Sequence, residues 1–235
     1  MVDHQVVSQD QWIEARKALL AKEKEFTRER DALSKERRDL PWVKVEKDYR
    51  FQTAEGEKSL SELFGGRSQL VVYHFMFGPD WESPCKSCSF WADNFNGIDA
   101  HLAARDVSFT AVSRAPLDKI SAIAKRLGWD FRWVSSFGSD FNFDFGVSFT
   151  ADEIASGEVT YNFRRGKAYG DEMPGISVFF KDADGAIYRT YSCYSRGLDM
   201  LNGAYHYLDL VPKGRDEDAL PFSMGWLRLH DEYGA

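Results

Sequence analysis

The chain has 235 residues, of which 43% are hydrophobic and 15% aromatic, so it can bury a core without disulfides or a structural metal and is not expected to be disordered. Its 37 acidic and 30 basic residues give a net charge of −7, which disfavours binding to nucleic acid. It has only three cysteines, no apolar run long enough to span a membrane and no N-terminal secretory signal, so we expect a cytoplasmic protein with no membrane partner.

Residues 10–40 contain neither Gly nor Pro and predict one long helix, which Pro41 ends. Five large apolar residues recur along it at intervals of seven: Trp12, Leu19, Phe26, Leu33 and Leu40. An exposed line of this length invites association, so we expect it to be buried, either against the chain's own domain or, more attractively, against a second copy in a homodimer. We therefore divide the chain into a helical extension at residues 1–41 and one domain at residues 42–235.

The strongest strand signal is the apolar run from Leu70 to Phe77, which is typical of a strand covered on both faces of a sheet. An extended stretch at residues 42–53 and a short helix capped by Ser59 precede it. A helical pattern, a second strand at residues 108–113 and a helix opened by Pro116 follow it. This alternation predicts an α/β fold with parallel strands joined by helical crossovers.

Aromatic residues alternate with other residues in two runs within residues 129–149. The pattern predicts two strands whose rings pack on a sheet face rather than line an active site: Trp129, Phe131 and Trp133, then Phe141, Phe143 and Phe145. Residues 150–173 are polar and predict a long connection. A hairpin that turns at residues 182–185 and a helix at residues 198–208 follow.

The sharpest chemical signal is the motif Cys85-Lys86-Ser87-Cys88, which follows the buried strand where the next helix begins. A spacing of three residues on the first helical turn places both sulfurs on one face. Free backbone amides, the helix dipole and the charge of Lys86 all favour a thiolate at Cys85. We therefore expect Cys85 to be the attacking sulfur and Cys88 the resolving one.

Two other interpretations of the cysteines stay open. A zinc or iron–sulfur site needs four ligands, and the sequence offers no second cysteine pair, although Cys193 and a histidine could complete a zinc site in space. The pair could also be two inert packed thiols, against which the polar residues between them indicate exposure. We expect neither a metal nor a cofactor, and we expect the lone Cys193 to be a packing group without a redox role.

Pro174 is the other candidate site residue. Dithiol enzymes of the thioredoxin class carry a cis-proline just before a strand that faces the dithiol, where it leaves a backbone edge free to pair with an extended substrate. Met173-Pro174-Gly175 stands before a predicted strand and hairpin in the expected order. We therefore expect Pro174 to position the substrate.

Six segments carry a resemblance that covers almost the whole chain: Glu25–Asp31, Leu40–Val43, Pro84–Trp91, Ser113–Leu117, Gly138–Asn142 and Arg196–Asp199. Through them the chain resembles the bacterial thioredoxin-like family known as domain of unknown function 899. Residues 49–88 are also similar to the start of a peroxiredoxin-type domain. The family resemblance implies a thioredoxin-like central sheet flanked by helices and a dithiol–disulfide oxidoreductase activity. The partner would be a protein or small-molecule thiol or disulfide.

Some residues depart from the sequence patterns of thioredoxins and peroxiredoxins. Lys86 and Ser87 stand where thioredoxins have Gly-Pro, and the long loop leaves Asp80 and His74 as unassigned candidates for the buried acid that thioredoxins place before the dithiol. Lys86 also occupies the position of the peroxiredoxin cysteine. The first expectation is thus a thiol–disulfide oxidoreductase. The alternatives are a peroxiredoxin-like thiol peroxidase at Cys85 and a non-catalytic domain that binds a partner through its N-terminal helix.

Overall fold

The structure, a computed structural model, describes residues 4–234. The α-helices are α1 (Gln9–Arg38), α2 (Leu60–Leu63), α3 (Lys86–Ala92), α4 (Ile98–Ala103), α5 (Leu117–Arg126), α6 (Phe141–Asp144), α7 (Ala151–Ser156) and α8 (Gly203–Leu208). The strands are β1 (Val43–Lys44), β2 (Arg50–Thr53), β3 (Gly56–Ser59), β4 (Gln69–His74), β5 (Val107–Ser113), β6 (Trp133–Ser135), β7 (Glu158–Tyr161), β8 (Arg164–Lys167), β9 (Gly175–Lys181) and β10 (Ile187–Tyr194). Two 3₁₀ segments span Ser195–Leu201 and His230–Glu232.

Eight of the strands form one mixed sheet in the order β1-β10-β9-β4-β5-β6-β2-β3. Strand β4 pairs in parallel with β5 and antiparallel with β9, and β9 pairs antiparallel with β10. Helices α3 and α4 lie between β4 and β5 along the chain, α5 follows β5, and α8 comes after β10. Four central strands with this order and direction, and with helices at these connections, make a thioredoxin-like fold. The predicted parallel pairing holds for β4, β5 and β6, whereas the outer strands are antiparallel.

Both faces of the central strand β4 are covered, as its apolar sequence predicts, because successive side chains point to opposite faces. Tyr73, and Phe75 just beyond the strand, pack on one face with α3 and with the ring of Trp133. Leu70 and Val72 pack on the other face with α2 and α6. The helix that carries the cysteine motif therefore packs on the first of these two faces, against buried side chains of β4.

The second aromatic run forms helix α6, so its prediction as a strand is wrong. Phe141 and Phe145 are spaced by four residues and are both buried, whereas Phe143 is only half-buried. This is the pattern of one helical turn rather than of a strand, on which all three rings would share a face. The first run packs as predicted, since Trp129, Phe131 and Trp133 are all buried, although only Trp133 belongs to a strand.

Residues 150–173 are also more ordered than the expected long connection. Thr150 caps α7 by accepting a hydrogen bond from the Glu153 amide, and the Glu153 carboxylate accepts one from the Thr150 amide in return. Strands β7 and β8 then form a separate hairpin whose turn holds Asn162 and Phe163 in the left-handed region. The sequence does not predict this hairpin, because only Val159 of its eight strand residues is buried and the strands therefore lack an apolar alternation.

Helix α1 forms where the sequence predicts it, with Ser8 and Gln11 in a reciprocal capping box. None of its residues is buried: the exposed fraction is 54% for Trp12 and 65% for Phe26. The expectation that the apolar line packs against the chain's own domain is therefore wrong, and the division at residue 41 stays a prediction. Within residues 4–234, no helix combines the length and hydropathy needed to cross a membrane.

We propose that the exposed line of α1 packs against a second copy of the chain. Leu19→Glu together with Phe26→Glu would place charges in that contact, so a wild-type dimer should become a monomer in sedimentation velocity experiments. Ala21→Glu adds one such charge on another side of the helix and should leave the dimer intact. A wild-type protein that sediments as a monomer at all concentrations would contradict the homodimer.

Candidate active site

Cys85 lies at the N-cap of α3, so the predicted position of the motif at a helix start is correct. Its amide donates a hydrogen bond to the Met76 carbonyl at 3.1 Å, which ties the residue to the chain that leaves β4. Its own carbonyl accepts hydrogen bonds from the amide and the hydroxyl of Ser89, both at 2.9 Å. The backbone is thus held on both sides, and the side chain is left partly exposed at the end of the helix.

Cys88 occupies the opposite kind of environment. Its side chain is buried on the first turn of α3, and its sulfur accepts a hydrogen bond from the Met76 amide at 3.4 Å. Tyr73 of β4 is the buried titratable group beside it, and burial together with the Cys88 thiol raises the pKa of that phenol. Of the two thiols, only Cys85 is open to a reagent without movement of the protein.

Hydrogen bonds separate the pKa values of the two thiols. The Cys88 thiol donates to the Cys85 sulfur, and the amides of Cys88 and Ser87 add to its effect, so the pKa of Cys85 falls to about 6 despite burial. Burial raises the pKa of Cys88 well above its usual range, and the adjacent Cys85 raises it further. The predicted asymmetry is present, but it comes from hydrogen bonds at the helix start rather than from the charge of Lys86, whose side chain is exposed.

A cavity of about 290 Å³ opens at Cys85. Cys85, Cys88 and Pro174 all line it, so the structure brings the three predicted site residues together. Most of the remaining wall is apolar: Tyr73, Met76, Trp91, Met173, Leu198 and Met224. Its two charged residues, Arg196 and Asp199, pair with each other at 2.9 Å. The space around the reactive sulfur is therefore apolar and close to neutral in charge.

Pro174 has the predicted place but not the predicted conformation, because the Met173–Pro174 peptide bond is trans. Gly175 after it is paired on both sides, with His74 of β4 and Tyr194 of β10. The Met173 amide donates to the Val147 carbonyl at 2.8 Å, and the Pro174 carbonyl accepts the Tyr161 hydroxyl at 2.6 Å. The Met173 amide and the Pro174 carbonyl are thus not free to pair with an extended substrate, and Pro174 is part of the cavity wall.

Tyr161 and Ser195 are site residues that the sequence did not reveal. The Tyr161 hydroxyl donates to Pro174 and accepts the Ser195 amide at 2.9 Å, so β7 is fastened to the rim of the cavity. Burial raises the pKa of Tyr161, which keeps the hydroxyl protonated for its donor role. Ser195 lines the cavity with a φ of 53°, in the left-handed region. Tyr161 lies in residues 150–173, whose polar sequence predicts a connection, and no sequence motif indicates a role for Tyr161 or Ser195.

Neither candidate for a buried acid lines the dithiol cavity. His74 points to the other face of β4, where it stacks on Phe145 and its Nε2 lies 2.9 Å from the Ser177 hydroxyl. Burial lowers the pKa of His74 to about 3, so the imidazole is neutral. Asp80 is exposed. The place beside the buried thiol is taken by the Tyr73 phenol.

Cys193 lies on β10 and does not line the dithiol cavity. Its thiol is 3.7 Å from the Gly197 carbonyl, and burial raises its pKa. In the part of the chain that the structure describes, no three His, Cys, Asp or Glu side chains are grouped so that they could hold a metal ion. The described residues therefore do not join Cys193 to the cysteine pair in a zinc site.

Comparisons with known proteins give a family match over nearly the whole chain and structural matches over part of it. The family model described as a bacterial protein of unknown function (DUF899) matches residues 1–233. A search of curated proteins gives no match.

Among solved structures, the peroxidoxin BcpB from Mycobacterium tuberculosis is 16% identical, with 68% of this chain and 92% of that chain covered and a TM-score of 0.42. A cysteine-to-serine mutant of PrxQ from Xylella fastidiosa is also 16% identical, with coverages of 68% and 89% and a TM-score of 0.42. The hypothetical protein SMc02350 from Sinorhizobium meliloti 1021 is 13% identical, with coverages of 63% and 68% and a TM-score of 0.39. The order β10-β9-β4-β5 and the directions of these four strands define the thioredoxin-like fold.

Proposed function

The chain belongs to the bacterial DUF899 family, and we propose that it is a thiol–disulfide oxidoreductase that works through Cys85 and Cys88. The asymmetry of the pair carries the proposal. Cys85 is partly exposed at a helix start with a pKa of about 6, and Cys88 is buried three residues later with a raised pKa. A partly exposed thiol with a lowered pKa suits a nucleophile, and a buried thiol next to it suits a resolving residue that is shielded from other reagents.

The reaction follows from the two environments. The Cys85 thiolate attacks one sulfur of a substrate disulfide, so that a mixed disulfide forms and the other substrate sulfur leaves as a thiolate that takes up a proton. Cys88 then loses its proton and attacks the Cys85 sulfur, which releases the second substrate thiol. The substrate disulfide is reduced to two thiols, and the protein dithiol is oxidised to a Cys85–Cys88 disulfide. A cellular dithiol reverses the last oxidation, and a cytoplasmic location would keep the pair reduced between cycles.

The apolar cavity supports the first step. Apolar walls lower the local dielectric constant beside the Cys85 sulfur, which strengthens the hydrogen bonds that stabilise its charge. Pro174 and Met173 line the same cavity as the thiols and limit the directions from which a disulfide can approach. We propose that Pro174 positions the substrate by this shape rather than by backbone pairing.

Stoichiometry under anaerobic conditions tests the proposal. The reduced protein is mixed with bis(2-hydroxyethyl) disulfide, and we expect two protein thiols to disappear per disulfide reduced, with a Cys85–Cys88 disulfide in the peptide map. Thiols that stay unchanged with this disulfide and with glutathione disulfide would refute the proposal. Stopped-flow mixing with hydrogen peroxide separates the thiol peroxidase: faster oxidation by peroxide than by any disulfide would favour it.

Cys193→Ser is expected to leave this stoichiometry and its rate unchanged, since Cys193 lies outside the cavity. The measurement is the same anaerobic oxidation followed by peptide mapping. A large loss of rate, or a disulfide that contains Cys193 in the oxidised wild-type protein, would show that the third cysteine takes part.

A further inference from the structure

A second cavity of about 320 Å³ adjoins the dithiol cavity, and the two share Met173 and Ser195 as lining residues. The β7–β8 hairpin forms part of its wall, and three cationic residues of β8 are among those that line it: Arg164, Arg165 and Lys167. All four residues of β8 are exposed, so these cations are open to solvent and to a ligand. The two cavities are thus neighbours across the rim made by Met173.

The charge of this hairpin contrasts with that of the chain. The Arg165 guanidinium pairs with the Glu158 carboxylate at 3.1 Å, which leaves the hairpin with two surplus positive charges, whereas the whole chain has a net charge of −7. Lys167 lies 5.9 Å from the centre of the Tyr169 ring, which also lines the cavity. By contrast, the two charged residues of the dithiol cavity neutralise each other. Positive charge is thus concentrated on one side of the reactive sulfur.

The hairpin is also held in place relative to the thiols. The Tyr161 hydroxyl at the end of β7 bonds to the Pro174 carbonyl and the Ser195 amide, and both of those residues line the dithiol cavity. The same bond occupies the Pro174 carbonyl, which is therefore not free to pair with an extended peptide. A small molecule that reaches from one cavity to the other meets no such obstacle.

We propose, on the premise of the proposed oxidoreductase function, that the substrate is a low-molecular-weight disulfide with anionic groups. Its sulfur lies at Cys85 in the apolar cavity, and its carboxylates or phosphates bind Arg164, Arg165 and Lys167. Guanidinium groups form paired hydrogen bonds with both kinds of anion, and the two volumes together suit one ligand rather than a protein surface.

The test uses three disulfides: glutathione disulfide as the carboxylate probe, coenzyme A disulfide as the phosphate probe and bis(2-hydroxyethyl) disulfide as the neutral one. The rate at which each oxidises the reduced protein is divided by its rate with dithiothreitol, which removes differences in intrinsic reactivity. We expect at least one anionic probe to be preferred over the neutral probe by about tenfold or more, which corresponds to ~1.4 kcal/mol. The better of the two anionic probes identifies the anionic group.

The triple variant Arg164→Gln, Arg165→Gln, Lys167→Gln should lose this preference, and added salt should weaken it in the wild type. Lys125→Gln, on α5 and outside both cavities, removes a positive charge elsewhere and should keep the preference. Oxidation by all three probes without any preference, or a preference that survives in the triple variant, would overturn the inference and leave the oxidoreductase intact. Failure of every disulfide to oxidise the protein would overturn the oxidoreductase itself, and the inference with it.

Discussion

Cys85→Ser is expected to lower the rate of reaction with disulfides by about a thousandfold or more, because a serine hydroxyl stays protonated at neutral pH and cannot replace the thiolate. Cys88→Ser should behave differently. Its Cys85 still attacks, but no second thiol releases the substrate, so a mixed disulfide at Cys85 accumulates. The two variants differ by one sulfur each and are therefore controls for one another.

Mass spectrometry of the variants after exposure to glutathione disulfide measures the difference. One glutathione per chain on Cys88→Ser, mapped to Cys85, and almost none on Cys85→Ser is the expected pattern. Cys193→Ser should instead form the internal Cys85–Cys88 disulfide, as the wild type does. Equal capture by both single variants would show that Cys88 also meets substrates, contrary to its burial.

Phe141→Ala is expected to destabilise the protein by about 3–5 kcal/mol, the usual cost of removing a buried ring from a core. The Phe141 side chain is fully buried on α6 and packs against five other rings, of which the nearest are Phe145, Phe51 and Tyr49, with centroid distances of 4.6, 4.9 and 5.1 Å. Few of these contacts can re-form around a smaller side chain. Urea unfolding followed by tryptophan fluorescence gives the change in the free energy of unfolding.

Phe143→Ala is the matched control, since it removes the same ring two residues later. Phe143 is only half-buried and lies under the Arg114 guanidinium, 4.4 Å from its centre, so its loss should cost well under half as much. Equal losses for the two variants would fit the strand that the sequence predicts, on which both rings share a face, and would contradict helix α6.

The sequence predicted those parts of the fold in which a short sequence pattern is compatible with only one local structure. The apolar run before Cys85 requires a strand buried on both faces, and Ser59 at the start of a short helix caps it as expected. The position of Cys85 at the start of α3 follows from the same local order. These features need no knowledge of distant residues.

The predictions were wrong where one sequence pattern is compatible with two local structures, or where contacts with distant residues determine the structure. Phe141 and Phe145 fit a period of two and a helical spacing of four equally well, and packing on Tyr49 and Phe51 decides between them. The occupied carbonyl of Pro174 depends on Tyr161, which lies in a hairpin with a single buried strand residue. The apolar line of α1 predicts a contact but does not say with what, and of the two alternatives only packing on the chain's own domain is overturned by its exposure.

Alkylation of the two reactive-site thiols as a function of pH tests most directly whether Cys85 is the nucleophile. The reduced protein is treated briefly with iodoacetamide at a series of pH values, and the extent of reaction at each cysteine is read from its peptide. Because the thiolate is the reactive form, alkylation of Cys85 should rise with pH through a midpoint near 6, while Cys88 reacts slowly throughout. Cys88→Ala removes the strongest hydrogen bond to Cys85 and should move that midpoint upward. A Cys85 that titrates near the ordinary thiol value of about 8.5, with Cys88 equally reactive, would contradict the proposed function.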